Sequence, residues 1–463
     1  ITIGDWSSDV CSSDLFIFVC TALSVKPLIL IPGLMGSQIY STYGKNFQQE
    51  WYCTKKANNK VSWLNPSFLI PPRYNCLFNM LEVKYNKNKQ TFESKPNLKM
   101  FPHDFGGVDG ISTLIDVGDI KLIESFSHMV KYMKDKGYVV GKTLFGVPYD
   151  WRLAYVGLYK GTLNNDIKNL VIKAYNENNE KVTILGYSLG SIITTQFLGR
   201  CLTEAEKKKY VEKVIFLAPA FSGAGEAVSA SWFLRFPVLD FIQSEYIENA
   251  IRNLPCIHVL FPNYKVYEDT VIIKGPNGEK VYPSGVINFL AEHGKLTGDS
   301  LKMARLNEEM ILENEPLNPK VPLMFIYNSG ISTKMGLNFK NGYDNDPVSI
   351  SVDGDGTVPA KGVKWACEHF ASTENPVLCY DMSSSDSKFN HMGLGDNEYV
   401  NDLIYKYVNV KDWHLKGVSA YYKPTNIRFL SNTTYTFGPV HKQIITPKRS
   451  EERRVGKECR SRW

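Results

Sequence analysis

The chain is short of several things. In 463 residues no apolar run approaches the ~20 residues a membrane-spanning helix needs, so none is expected. No stripe of Lys and Arg with interleaved aromatics appears, which argues against a nucleic-acid partner despite a net charge of +6. No His, Cys, Asp or Glu cluster has metal-ligand spacing, so no metal and no cofactor are expected. Nine cysteines are too few for a disulfide scaffold of this length. Three lie apart from the rest, Cys11 and Cys459 in the terminal segments and Cys20 in an apolar stretch. That leaves Cys53, Cys76, Cys201, Cys256, Cys367 and Cys379 in the body. There is no internal repeat and no long low-complexity stretch.

Both ends read as foreign. Residues 1–14, ITIGDWSSDVCSSD, and 449–463, RSEERRVGKECRSRW, resemble translated adaptor sequence and are set aside from fold reasoning. Residues 15–24 read as a truncated signal peptide, with Ala22 and Ser24 at the −3 and −1 positions of a cleavage site; a buried strand is the alternative. The sequon at Asn432-Thr433-Thr434 adds a little to the case for a secretory route.

What remains, 25–448, alternates strand-like runs with amphipathic helices. PLILIPG, VTILG, KVIFLAP, PLMFIYNSG and NPVLCYDM are short buried strands. Leu122, Phe126, Met129 and Met133 form one helical face, Ile167, Leu170, Val171, Ala174 and Tyr175 another, and Val400, Leu403, Ile404 and Tyr407 a third. This rhythm predicts an α/β fold, a mostly parallel sheet with helices on both faces. Two segments interrupt it, about 50–100 and about 229–318, and are read as insertions on the sheet. The second holds a hairpin-like VIIKGPNGEKVY with Pro-Asn-Gly at its turn.

In VTILGYSLGSIITTQFL a strand runs into a helix through Gly186-Tyr-Ser-Leu-Gly190. A serine at such a sharp turn is forced into a strained backbone conformation, and its neighbours two residues away pack too closely for a side chain. The pattern marks Ser188 as a nucleophile whose hydroxyl stands at the strand's carboxyl end. The N–H of Leu189 would face a developing oxyanion. A serine hydroxyl requires a base, and the base an orienting acid, in chain order Ser, Asp or Glu, His for this fold. SVDGDGTVPAKG offers Asp353 and Asp355, with a solvated turn or a calcium loop as the bland reading; no Glu follows at EF-hand spacing. Of the following His369, His391, His414 and His441, His391 lies on a loop after the last clear strand and just before the final helix, the place of a hydrolase base. ILIPGLMGS offers a second oxyanion donor in the N–H of Leu34, with an ordinary strand-end turn as the alternative, favoured on these residues alone.

These residues together resemble the lecithin:cholesterol acyltransferase and lysosomal phospholipase A family. LILIPGLMGSQI is similar to its first strand and oxyanion loop, GVPYDWR to its pre-elbow segment, and GYSLGS to its elbow. DGDGTVP resembles its acid loop, NHMG its histidine loop, and WYCTKK…VSWLNP…NCL its disulfide-closed membrane-binding region. The resemblance runs from about Lys26 to Val408. It implies an α/β-hydrolase fold with a membrane-binding lid at about 50–100 and a cap at 229–318. It assigns Ser188 as nucleophile, Asp355 as acid, His391 as base, and Leu34 with Leu189 as oxyanion hole. The implied reaction is cleavage of a glycerophospholipid acyl ester without calcium, the acyl group passing to water or a lipid alcohol. Alternatives are a dedicated sterol or diacylglycerol O-acyltransferase and a non-catalytic binding protein on a hydrolase fold; an intact Ser, Asp and His in order argues against the latter.

The resemblance makes Asp150 and Arg152 a structural ion pair and Cys53–Cys76 a disulfide. The family's second disulfide lacks one partner here, so Cys367 and Cys379 either pair with each other or stay free. Between Cys53 and Cys76, Trp63, Leu64, Phe68, Leu69 and Ile70 form an apolar group among Lys and Asn residues. A satellite core is the bland reading. The expectation is that they dock on a phospholipid membrane or lipoprotein surface, the aromatic ring among headgroups and lysines near anionic lipid. The implied location is the secretory pathway, secreted or lysosomal.

Overall fold

A computed structural model describes residues 25–112, 126–235 and 244–409 in full, and the strands Asp116–Val117, Ile120–Lys121, Ser419–Lys423 and His441–Ile445 by backbone alone. The two terminal segments, the signal-peptide reading, Leu122, His414 and the Asn432 sequon lie outside these residues.

The alternation read in the sequence folds into one central sheet. Its strands are β1 (Leu28–Ile31), β2 (Leu144–Gly146), β3 (Val182–Tyr187), β4 (Val211–Leu217), β5 (Leu323–Tyr327), β6 (Val377–Asp381), β7 (Ser419–Lys423) and β8 (His441–Ile445). They lie in the order β8-β7-β6-β5-β4-β3-β1-β2, all parallel except the β7–β8 pair. The first two crossovers run β1 to β2 at one edge and back past β1 to β3, which puts β3 inside the sheet between β1 and β4. This is the mostly parallel, doubly covered architecture of an α/β hydrolase.

Every residue of β1 and β3 is buried, because successive side chains point to opposite faces and both faces are covered. One face, with Ile29, Ile31, Ile184 and Phe216, packs on α2 (Leu163–Asn178) and α3 (Gly190–Cys201) through Ile167, Leu170, Val171, Ile193 and Phe197. The other, with Leu28, Leu30, Leu185 and Leu217, packs on α1 (Ser127–Asp135) and α6 (Glu398–Asn409) through Met129, Met133, Val400, Leu403 and Ile404. The helical stripes read from the sequence are these contacts. Between them, α4 (Ala360–His369) packs on β5 and β6, tied to β6 by a Cys367–Cys379 disulfide, so these two cysteines pair.

The segment at 50–100 has more structure than an interruption suggests. Ala57–Trp63 pairs antiparallel with Ile39–Tyr43, which pairs with Leu98–Pro102, and a helix, Tyr74–Leu81, packs beside a hairpin of Val83–Asn86 and Thr91–Ser94. It therefore has a sheet face of its own to bury apolar residues on. Among the described residues, the α-helices between β4 and β5 are Gly225–Phe233, Glu245–Arg252, Pro255–His258, Val286–Glu292 and Gly298–Asn307. After β5 the chain leaves the central sheet: Ile331–Asn338 pairs antiparallel with Val348–Gly354, and the hairpin Ile273–Lys274/Lys280–Val281 extends that pair. This second sheet was not expected, because its outer strand, VSISVDG, is polar and half exposed and gives little periodicity to read.

Candidate active site

Ser188 directly follows β3 with φ of 52°, the left-handed backbone that a sharp strand-to-helix turn requires. The two flanking glycines are there for close approach. A Cβ on Gly190 would come within 2.4 Å of the Ile31 carbonyl oxygen and 2.5 Å of that of Pro32; one on Gly186 would meet Thr194 Oγ1 at 2.6 Å. Strand, turn and helix pack against the end of β1 with no room for a methyl group. The turn is also tied down: the Ser188 N–H donates to the Leu217 carbonyl, and the Ser188 carbonyl accepts from Ser191 N–H at 3.0 Å and Ala220 N–H at 3.2 Å.

The acid comes from the second sheet. Asp355 follows Val348–Gly354 and is 2% exposed. Its Oδ1 accepts from the N–H groups of Thr357, at 2.9 Å, and Val358, at 2.7 Å, which leaves Oδ2 to accept from His391 Nδ1 at 2.8 Å. Asp353, two residues earlier, is exposed at the strand's end opposite Ser332.

His391 opens a short helix, α5 (His391–Asp396), rather than lying on a free loop; the Asn390 side chain caps it by accepting from Gly393 N–H. Its own N–H donates to the Asp355 carbonyl, and the Tyr187 hydroxyl donates to its carbonyl at 2.8 Å. The Tyr187 ring stacks on the imidazole, centroids 5.4 Å apart. Burial, together with the charges of Asp355 and Asp396, holds the Tyr187 phenol well above its ordinary pKa, so it stays a donor. With Nδ1 against a carboxylate, the free ring nitrogen Nε2 stands 2.9 Å from Ser188 Oγ. Ser188, His391 and Asp355, distant in sequence, are thus hydrogen-bonded in series. Tyr187 is a contributor that the sequence pattern treats as a free position, and no local signal distinguishes it. His369 is elsewhere, exposed on α4 and bonded to the Trp365 carbonyl.

Leu189 follows the serine at the start of α3. Gly33 lies against Ser188, since a Cβ there would be 2.8 Å from Ser188 Cβ, so the Gly33–Leu34 peptide borders the same space from the β1 side. Among the described residues no group of three or more His, Cys, Asp or Glu side chains is arranged to hold a metal ion.

Residues 59–271, which include Ser188 and make up just under half of the chain, match the family model described as lecithin:cholesterol acyltransferase. Relatives span most of the chain. The lysosomal phospholipase A and acyltransferase of Canis lupus familiaris is 25% identical over 337 residues, covering 72% of this chain and 80% of that protein. Its Homo sapiens counterpart is 24% identical over 370 residues, 78% and 86% of the two chains. Lecithin-cholesterol acyltransferase-like 1 of Arabidopsis thaliana is 26% identical over 363 residues, 73% and 82%.

The expected membrane-binding group is split by the structure. Cys53 and Cys76 are bridged, and Phe68 and Leu69 are half-buried with Ile70 58% exposed. Trp63 and Leu64 are not on the surface. Trp63 is fully buried, edge-on to Trp151 with its Nε1–H donating to the Met35 carbonyl at 2.9 Å, and Leu64 is 2% exposed. Trp63 ends the strand Ala57–Trp63 and Leu64 follows it, both buried, so neither can meet a bilayer, and the docking expectation is corrected for both. Trp51, two residues before Cys53 in a polar segment, is 83% exposed. Asp150 and Arg152 do form a buried ion pair, with Arg152 Nη2 2.7 Å from Asp150 Oδ2 and Nη1 donating to the Met80 carbonyl.

Proposed function

We propose that this chain is a serine lipid hydrolase and acyltransferase that cleaves a fatty acyl ester of a glycerophospholipid through an acyl-enzyme. The observation that carries the reading is the unbroken hydrogen-bonded series from Ser188 Oγ through the His391 imidazole to Asp355 on a strained elbow. Ser188 Oγ attacks the ester carbonyl as His391 Nε2 takes its proton, and Asp355 stabilises the imidazolium. The N–H groups of Leu34 and Leu189 receive the oxyanion. Collapse expels the lysophospholipid alkoxide, protonated by Nε2. Water or a lipid alcohol, deprotonated by the same nitrogen, then takes the acyl group and frees the serine. The relatives' names, phospholipase A and acyltransferase, support the substrate class.

On this reading 25–448 is one hydrolase unit, with 50–100 its lipid-docking insertion and 229–318 its cap. Docking falls to Trp51, Ile70 and the neighbouring Phe68 and Leu69, with exposed Lys55, Lys56, Lys60 and Arg73 beside them to meet a phospholipid surface. Two disulfides and the lysosomal relatives support a place in the secretory pathway. Among the described residues no helix is long and apolar enough to cross a membrane.

The test is twofold. A fluorophosphonate should label Ser188 in the wild type and not in Ser188→Ala. Acyl-labelled phosphatidylcholine vesicles, with and without a sterol, should release free fatty acid, or acyl ester when an alcohol is present. Ser188→Ala retaining a tenth of wild-type turnover would sink the elbow assignment.

A further inference from the structure

The turn that carries Leu34 is held from outside by two buried side chains that the reaction itself does not use. The Tyr149 hydroxyl donates to the Pro32 carbonyl at 2.9 Å, and the Tyr149 N–H donates to Ser37 Oγ at 3.1 Å. On the far side of the turn, Trp63 Nε1–H donates to the Met35 carbonyl at 2.9 Å. Between these clamps the Gly36 N–H closes back on the Gly33 carbonyl, and Met35 takes the left-handed φ of 63°. Tyr149 is 1% exposed and Trp63 fully buried, so neither bond competes with water. Burial also keeps the Tyr149 phenol protonated.

We propose that Tyr149 and Trp63 are positioning residues that hold the Gly33–Leu34 peptide at the geometry required for oxyanion binding. The inference rests on the reading of the Leu34 N–H as an oxyanion donor. The physical reason is that a preorganised donor stabilises developing charge only if it does not reorient during the reaction. A four-residue turn with a left-handed residue would otherwise be free to rotate that peptide. Trp63 brings a second consequence. It ends the strand Ala57–Trp63, directly before the segment bearing Phe68 and Ile70, and packs edge-on to Trp151, two residues from Tyr149. Trp63 therefore packs on the same short segment that carries Tyr149, and its bond to Met35 links the lipid-docking insertion to the oxyanion turn. This also gives the GVPYDWR segment work beyond its ion pair: Tyr149 holds the turn, and Trp151 backs the second clamp.

The experiment uses the full chain with Tyr149→Phe and with Trp63→Phe, each of which keeps a ring and removes a single donor. Three quantities are read: kcat and KM on a short water-soluble ester, per active site titrated with fluorophosphonate, and the Ki of a trifluoromethyl ketone, whose hemiketal oxygen sits where the oxyanion forms. Each variant is expected to lower kcat about 10-fold with KM within about two-fold, less than the loss of a whole donor. The Ki should rise by the same factor. A purely structural role would lower the melting temperature and the titratable fraction and leave kcat per site and Ki unmoved, which would overturn the proposal. So would a fall in kcat without a rise in Ki. Should Tyr149→Phe not fold, Trp63→Phe makes the same test from the other end of the turn. If fluorophosphonate fails to label Ser188 in the wild type, the hydrolase reading falls and takes the proposal with it. A labelled wild type with unaltered variants removes the clamp alone.

Discussion

At Asp355 three donors converge on one carboxylate, two from the backbone of its own loop and one from His391. The backbone pair fixes the plane of the carboxyl group, so that only Oδ2 is offered to the imidazole. An amide in its place would turn either a donor toward Nδ1 or a carbonyl that cannot balance the imidazolium charge. Asp355→Asn is accordingly expected to lower kcat about 10⁴-fold on a short soluble ester while KM changes little. Asp353 faces solvent at the strand end, and Asp353→Asn should stay within about two-fold of wild type. Equal losses in the two variants would mean that the loop acts as a structural unit and that the carboxylate of Asp355 has no special part. The same residue-scale logic explains why Gly-Tyr-Ser-Leu-Gly is legible without a structure: the collisions of a Cβ at Gly186 and Gly190 are local and recur wherever such a turn is built.

At the scale of the element, the strand Ala57–Trp63 shows how position along one strand decides a residue's role. Exposure changes along its length: Asn58, Asn59 and Lys60 face water, while Ser62 and Trp63 at its far end are both buried, covered on both faces. Trp51 and Ile70 precede and follow this strand on connecting segments and stay largely exposed. Their removal and the removal of Trp63 should thus have opposite signatures. Trp51→Ala combined with Ile70→Ser is expected to weaken binding to phosphatidylcholine vesicles about 10-fold, through lost apolar burial, and to slow hydrolysis of vesicle lipid. Turnover of a soluble ester and the melting temperature should hold. Trp63→Ala should instead destabilise the fold by about 3–5 kcal/mol in urea titration. Parallel loss on both substrates by the surface double variant would show that Trp51 and Ile70 support the fold rather than meet lipid.

For the whole molecule, acid is the condition that matters to a protein with lysosomal relatives, and one buried group sets a cost there. His258, in the short helix Pro255–His258, has no exposed surface. Burial, only partly offset by the nearby Arg252 backbone, pushes its pKa from 6.5 down to about 3. The unfolded chain takes up a proton here below about pH 6.5, while the folded chain does not until about pH 3. Stability from this residue is therefore full above 6.5 and falls as the pH drops through that window. At pH 5 the loss is about 2 kcal/mol, from 1.36 kcal/mol per pH unit. His258→Phe should flatten the decline: between pH 7.5 and pH 5 its unfolding free energy should fall about 2 kcal/mol less than that of the wild type. Identical slopes for the two proteins would mean that His258 is protonated in the fold.

The division between what sequence and tertiary structure each decide follows the range of the interactions involved. Short-range constraints are written in the chain itself. The burial of whole strands such as LILI and VTILGY, the 3.6-residue stripes of α2 and α6, and the glycines around Ser188 are each set by neighbours within a few residues or by one layer of packing. From them come the parallel sheet with helices on both faces and the position of the elbow. The meeting of Ser188, Asp355 and His391 depends on residues up to 203 positions apart. The order of the residues announced it, but only the crossing of β3, the second sheet and α5 at one end of the central sheet brings the atoms within 2.9 Å. The fate of the apolar group at 63–70 was not in the sequence at all. Hydrophobicity says that Trp63 and Ile70 both avoid water. Which of them does so against Met35 and Trp151, and which is left at the surface, is set by the partner that the folded chain brings to each.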